Sequence, residues 1–281
     1  MLRSVILAAA RSPRVARLVA TAPISRDVVR RFVAGPRTED ALATTRALVD
    51  DGLRVTLDYL GEDTLNAEQA EHTRDEYLAL LARLSAAGLT HAAEVSVKLS
   101  ALGQVFDEKL AEENARAIAA AADAAGTTVT LDMEDHTTTD STLEMLGRLR
   151  ADFPSMGAVL QAYLRRTEGD CRELARAGQR VRLCKGAYSE PEAVAFSSKL
   201  DVDKSYVRCT NILMSGPGYP MLATHDPRLI AIGEDRAKWF NKGADDFEFQ
   251  MLFGARPAEQ RRLAERPQNL AFFARSLAGD K

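Results

Sequence analysis

Cysteine is scarce in this chain. The three present, Cys171, Cys184 and Cys209, are odd in number and scattered, which excludes a disulfide framework and a zinc-type cluster and suits a reducing compartment such as the cytoplasm. Long hydrophobic runs are lacking, so no segment reads as a membrane-spanning helix. Charge of one sign is lacking too: 37 Lys and Arg against 40 Asp and Glu leave a net −3, with no bulk attraction to nucleic acid. Neither G-x-G-x-x-G nor G-x-x-x-x-G-K-[ST] occurs, so neither phosphate-binding glycine loop is encoded. No repeat or low-complexity tract is present. The remainder is that of an ordinary globular chain, 46% hydrophobic and 27% charged over 281 residues, enough for one large domain or two small ones.

The N-terminus lacks acids. Arg3, Arg11, Arg14 and Arg17 precede the first of them, Asp27. That is the composition of an organellar presequence or of a basic amphipathic helix. The apolar run Val5 to Ala10 is short for a secretory signal, so residues 1–50 are read as a helical segment packed on the main domain, with a membrane-surface contact as the other option.

From Leu53 onward the chain alternates. Seven stretches read as strands: "LRVTLDYLG", "AAEVSVKLS", "TTVTLDMED", "GAVLQAYL", "RVRLCKGA", "YPMLATH" and "FEFQMLFG". Helical stretches lie between them. "DEKLAEENARAIAAAADAAG" ends at Gly126 and "EQAEHTRDEYLALLARLSAAG" at Gly88, each in the position after a helix that glycine favours. "STLEMLGRLRAD" offers a capping box in Ser141 and Glu144. Regular alternation predicts a parallel α/β sheet. Six of the seven strands carry their polar residues late, among them Asp58, Lys98, Asp132, Glu134, Gln161, Arg182, Lys185, Thr224 and His225. An open sheet concentrates its site at one switch point, whereas a barrel gathers all its C-terminal strand ends in one ring. The expectation is therefore a (β/α)8-type barrel over residues 51–281.

Each polar residue has an ordinary structural explanation. Lys98 can snorkel or pair with an acid, or serve as a Schiff-base lysine. Asp132, Glu134, Asp135 and His136 lack a matching ligand pair elsewhere, so a metal is not expected. Cys184, taken to alternate away from Arg182, reads as a packing residue, and His225 as a cap for the helix beginning at Asp226. A ring of Lys, Asp, Gln, Arg, Lys and His is nonetheless difficult to reconcile with chance.

"VSVKLSALG", "LDMEDH", "VLQAYLRRT", "RVRLCKGAY", "YPMLATHD" and "FEFQMLFG" stand in an order and at spacings that closely resemble proline dehydrogenase in its monofunctional bacterial form. The resemblance covers Leu53 to Gly254. It implies a distorted barrel preceded by helices, FAD as cofactor, and oxidation of L-proline to Δ1-pyrroline-5-carboxylate with a quinone as electron acceptor. A quinone partner would also give a basic N-terminal helix a reason to lie against the inner face of a membrane. By resemblance Asp132 and Arg182 are catalytic, with the Arg182 cation beside a ring that gains negative charge. Lys98 pairs with the substrate carboxylate and Tyr188 packs near the substrate. Met133, Gln161, Lys185, Gly186, Ala187, Thr224 and His225 contact the cofactor.

The end of the chain departs from the family. There the resemblance implies a helix, an eighth strand and a last helix carrying a tyrosine three residues before an Arg-Arg pair that clamps the carboxylate. Here "RRLAERPQNLAFF" resembles the segment at and beyond the pair, which would make Arg261 and Arg262 its members, while "AEQRRL" also resembles the end of the preceding helix; Ala258 stands in the tyrosine's place and no eighth strand is identifiable. The segment after Gly254 reads as helix and tail, leaving a seven-stranded sheet with two bare edges. Three functions follow: the flavoenzyme, a catalytically impaired flavin-binding relative, and a lysine-dependent aldolase-type barrel.

Overall fold

The computed structural model describes residues 33–35, 37–60, 64–265 and 269–277. The basic segment and the membrane contact suggested for it lie outside these residues. Seven strands are those expected from the sequence: β2 (Arg54–Leu60), β3 (Ala93–Val97), β4 (Val129–Leu131), β5 (Gly157–Gln161), β6 (Arg180–Cys184), β7 (Tyr219–Ala223) and β8 (Glu248–Leu252). Each pairs in parallel with the next. The helices between them are α1 (Thr38–Asp50), α2 (Ala67–Ala86), α3 (Glu108–Ala124), α4 (Thr139–Arg150), α5 (Thr167–Arg176), α6 (Lys199–Ser215), α7 (Pro227–Trp239) and α8 (Pro257–Ala264). Among the described residues no helix is long and apolar enough to cross a membrane.

Two segments differ from the sequence reading. Val33–Gly35, within the segment read as helical, is a short strand, β1. Asn269–Leu277, read as tail, is a strand, β9. It runs parallel to β8 on one side (Glu248↔Asn269 to Leu252↔Phe273) and to β2 on the other (Arg54↔Ala271 to Leu60↔Leu277). The sheet therefore curls from β2 round to β8 with β9 between its ends, and β1 lies against β9. Sequence reading took the segment for helix and tail; its strand character shows in its pairing with β2 and β8.

The helix signals hold locally. Asp107 caps α3, accepting from the backbone N–H of Lys109 and Leu110 at 3.0 Å, and Gly126 beyond its end has φ +74°. The capping box does not form: α4 begins at Thr139, so Ser141 lies inside the first turn and donates back to the Thr138 carbonyl.

Alternation along the strands sets the two faces of the sheet. Outward residues such as Val55, Leu57, Val95, Val97, Val181, Leu183 and Phe249 are fully buried against the helices. Burying one such side chain is worth roughly 1.5–3 kcal/mol, and this layer is the main core. Many inward residues are polar, with Val159 and Met221 among the apolar exceptions. Thr56, Glu94, Thr130, Arg180, Arg182, Glu248 and Gln250 bond one another across the barrel interior.

Candidate active site

A cavity of about 660 Å³ opens where β3 to β8 end. Its floor is an ion-pair network. Lys98, just past β3, places Nζ 2.8 Å from Asp58 Oδ2 and 3.7 Å from Asp132 Oδ2. Asp132 Oδ1 accepts from Arg182 NH1 at 2.9 Å and from Ser96 Oγ at 2.7 Å. Arg182, from the middle of β6, is 4% exposed, too dry for a charge without these partners. Its Nε donates to Gln250 Oε1 at 2.5 Å, and its NH2 lies 3.6 Å from Glu94. Below Lys98, Tyr77 of α2 donates to the Ser96 carbonyl at 2.7 Å. Burial, then the Asp58 charge, push its phenol pKa well up, so it stays protonated.

The rim carries a second network. Lys185, one residue past β6, reaches Asp203 of α6 at 2.6 Å and Asp226, the N-cap of α7, at 3.2 Å. Arg228 bridges the same carboxylates at 2.8 and 2.6 Å, and Lys199 lies 3.6 Å from Asp203. Hydrogen bonds from Arg228 hold the Asp226 carboxyl below the usual range despite its partial burial. Three cations thus meet two carboxylates where two helices begin.

The turn after β6 is fastened from below. Gly186 has φ +105°, and a Cβ there would lie 2.3 Å from the Tyr163 ring. Glycine is required for conformation and for this stacked ring. The Tyr163 hydroxyl donates to Glu190 at 3.1 Å, and Glu190 also accepts from the His136 backbone at 2.9 Å and pairs with the His136 ring. Ala187 and half-exposed Tyr188 form the cavity edge above this anchor.

Opposite, His225 Nε2 accepts from the Leu252 backbone N–H at 2.8 Å. An amide N–H can only donate, so the ring's proton sits on Nδ1 and the imidazole is neutral. Burial, then Arg256, lower its pKa, in agreement. The helix cap is Asp226, not His225. Thr224 Oγ1 accepts from the Asp226 N–H at 3.1 Å. Gln161 gives one amide hydrogen to the Glu134 carbonyl at 2.7 Å, and Met133 and Val159 supply apolar wall. Cys184 lies two residues after Arg182, hence on the same face, and lines the cavity. Burial pushes its thiol up to about 11, which leaves it neutral and a poor nucleophile.

The structure thus brings Lys98, Asp132, Met133, Gln161, Arg182, Lys185, Gly186, Ala187, Tyr188, Thr224 and His225 to one cavity. It does not bring Arg261 and Arg262 there. Both lie on α8, where Arg261 is exposed and Arg262 pairs with Glu259 at 2.6 Å and with Glu234 of α7 at 3.0 Å. The short α8 runs down the outside of the barrel, which carries both arginines away from the strand ends. Sequence reasoning missed Ser96, Gln250, Asp203 and Asp226 as members of the site. Gln250 was legible, since it alternates with Glu248 in "FEFQMLFG". Asp203 had no signal, because only the packing of α6 brings it to Lys185. Among the described residues no group of three or more His, Cys, Asp or Glu is placed to hold a metal.

Comparison with known proteins supplies the family. A proline dehydrogenase model matches residues 41–274. The proline dehydrogenase of Deinococcus radiodurans is 39% identical over 271 residues, covering 93% of this chain and 85% of that one. Proline dehydrogenase 1 of Bacillus subtilis is 33% identical over 273 residues, covering 88% and 90%. In fold, the chain resembles proline utilization A from Bdellovibrio bacteriovorus, solved after inactivation by N-propargylglycine, with TM-score 0.83 at 24% identity. That match covers 89% of this chain and 31% of the other, so the chain spans about a third of the longer protein. The barrel, the cavity at its strand ends and these likenesses agree, and the chain belongs to the proline dehydrogenase family.

Proposed function

We propose that the chain is an FAD-dependent L-proline dehydrogenase that forms Δ1-pyrroline-5-carboxylate and passes its electrons to a quinone. The observation that carries this reading is the buried Lys98–Asp58–Asp132–Arg182 network at the floor of a cofactor-sized cavity. The residues present fit the cofactor. Lys185, Lys199 and Arg228 outnumber Asp203 and Asp226 at the start of α6 and α7, and this surplus of positive charge suits a diphosphate. The neutral His225 and Thr224 offer hydroxyl and imidazole partners beside it. When bound, the flavin supplies the hydride acceptor.

The chain's own residues bind, orient and exclude water. Lys98 presents an ammonium, fixed by Asp58, to the substrate carboxylate. Asp132 holds Lys98 and Arg182 at set positions, so both cations are oriented before substrate arrives. Arg182 keeps a permanent positive charge where negative charge develops. Met133, Val159 and Met251 line the apolar wall. The aldolase reading fares worse: Schiff-base chemistry needs an amine free to attack a carbonyl, and Lys98 Nζ is held 2.8 Å from the Asp58 carboxylate. The impaired-relative reading draws on the placement of Arg261 and Arg262 outside the cavity.

The test uses full-length protein incubated with FAD, desalted and mixed anaerobically with L-proline. Yellow protein that bleaches with proline and turns over with a quinone-like dye supports the proposal. Colourless protein overturns it, and yellow protein that does not bleach assigns the chain to the impaired class.

A further inference from the structure

Glu248 and Gln250 stand two residues apart on β8, both buried and both facing the barrel axis. Gln250 lines the cavity, whereas Glu248 lies one layer deeper, beside a second cavity of about 390 Å³ at the opposite mouth of the barrel. Two hydrogen-bonded chains converge on Glu248. From above, Arg182 Nε donates to Gln250 Oε1 at 2.5 Å, and Gln250 Nε2 donates to Glu248 Oε1 at 2.5 Å. From below, Arg54 NH1 donates to the Tyr219 hydroxyl at 3.2 Å, which donates to Glu248 Oε2 at 3.1 Å.

The direction of these bonds is forced. A guanidinium only donates, so the side of the Gln250 amide that meets Arg182 is its oxygen. Its nitrogen then faces Glu248, which must accept. Asp132 and Ser96 hold Arg182 at NH1, and Gln250 holds it at Nε, so two separated points fix the rotation of the guanidinium plane. We infer that Gln250 is a positioning residue for Arg182, and Glu248 a positioning residue for Gln250. The geometric statement stands on the bonds; its consequence for catalysis rests on the role proposed above for Arg182.

Reversing the polarity of the pair separates positioning from mere filling of the interior. Glu248→Gln introduces a surplus N–H against Tyr219 or Gln250. Gln250→Glu sets a second carboxylate against Glu248. The double variant restores the match: the carboxylate now at 250 accepts from Arg182 and from the amide now at 248, whose oxygen accepts from Tyr219.

Two measurements on full-length, FAD-loaded protein read the outcome. One is water exchange of the Arg182 Nε–H, followed by NMR on isotope-labelled arginine and assigned with Arg182→Lys. The other is the single-turnover rate of flavin bleaching by proline. Each single variant should speed exchange about 10-fold and slow bleaching about 10–100-fold, as expected for a displaced catalytic group. The proline dissociation constant should stay within about 2-fold, since Lys98 is untouched, and the double variant should recover both signals to within about 3-fold. Singles that leave both signals unmoved, or a double as impaired as the two singles combined, overturn the inference. Should a single variant not fold, Tyr219→Phe removes one hydroxyl and no charge and should still speed exchange; unmoved exchange there also overturns it. Slow Arg182 exchange in a wild-type protein that proline does not bleach would sink the proposed function and leave the positioning inference standing.

Discussion

Single residues in the cavity differ in what their loss should do. Lys98 faces the carboxylate of the proposed substrate, and truncating one partner of a buried charge pair costs about 2–5 kcal/mol. Lys98→Ala should therefore weaken proline binding by that amount while the FAD spectrum stays in place. A titration of the bleaching step against proline measures it, and an unchanged affinity removes Lys98 from the substrate site. His225 governs a pH response. Its pKa is lowered from 6.5 in the fold, so the unfolded chain binds the extra proton first. Stability is then full above about pH 6.5 and falls as pH drops below it, because protonation of Nε2 breaks the bond from Leu252. Melting temperatures at pH 7.5 and 5.5 test this: the drop should shrink in His225→Asn, and an equal drop in both proteins would show that other groups carry it.

Among the elements lining the cavity, the β6 turn has a strict local requirement. Gly186→Ala must relieve a contact of 2.3 Å with the Tyr163 ring and hold a non-glycine residue at φ +105°. Strained backbone of this kind costs about 1–3 kcal/mol, and the turn that carries Lys185 and Ala187 should shift to avoid it. FAD affinity should fall while the far-ultraviolet spectrum stays unchanged; tight FAD binding by the variant would show that the turn does not shape the site. At this scale the sequence was largely legible. Six polar strand ends announced the cavity, because alternate residues on a strand share one face and parallel strands end together. The partners of Lys185 were not legible, since Asp203 and Asp226 belong to helices whose rotation is set by packing. Neither was β9, whose place in the sheet is set by pairing with β2, more than 200 residues before it, as well as with β8.

At the scale of the whole molecule, the resemblance and the geometry part at α8. The family pattern makes Arg261 and Arg262 a carboxylate clamp, while the fold gives Arg262 to Glu259 and Glu234. Replacing both arginines by alanine should leave proline affinity unchanged. Stability should fall by about 0–1 kcal/mol for the partly exposed pairs. Calorimetry and substrate titration decide it, and a loss of proline affinity would mean that α8 moves to the cavity when substrate binds. Ending the chain after Ala264 would remove β9 and bare the edges of β2 and β8. Soluble yield should fall sharply, and a shortened chain as soluble as its parent would show that the sheet does not need the strand.

The polar barrel axis inverts the usual rule of tolerance. In most cores leucine is the safe substitution and a charge the damaging one. Here the layer outside the sheet obeys that rule, and the layer inside it obeys the opposite. A leucine scan along β6 should record the difference as a two-residue rhythm: accepted at Val181, rejected at Arg180 and Arg182, whose removal takes from Glu94 and Asp132 their nearest cation. A substitution table built on hydrophobicity alone would rank those positions in reverse.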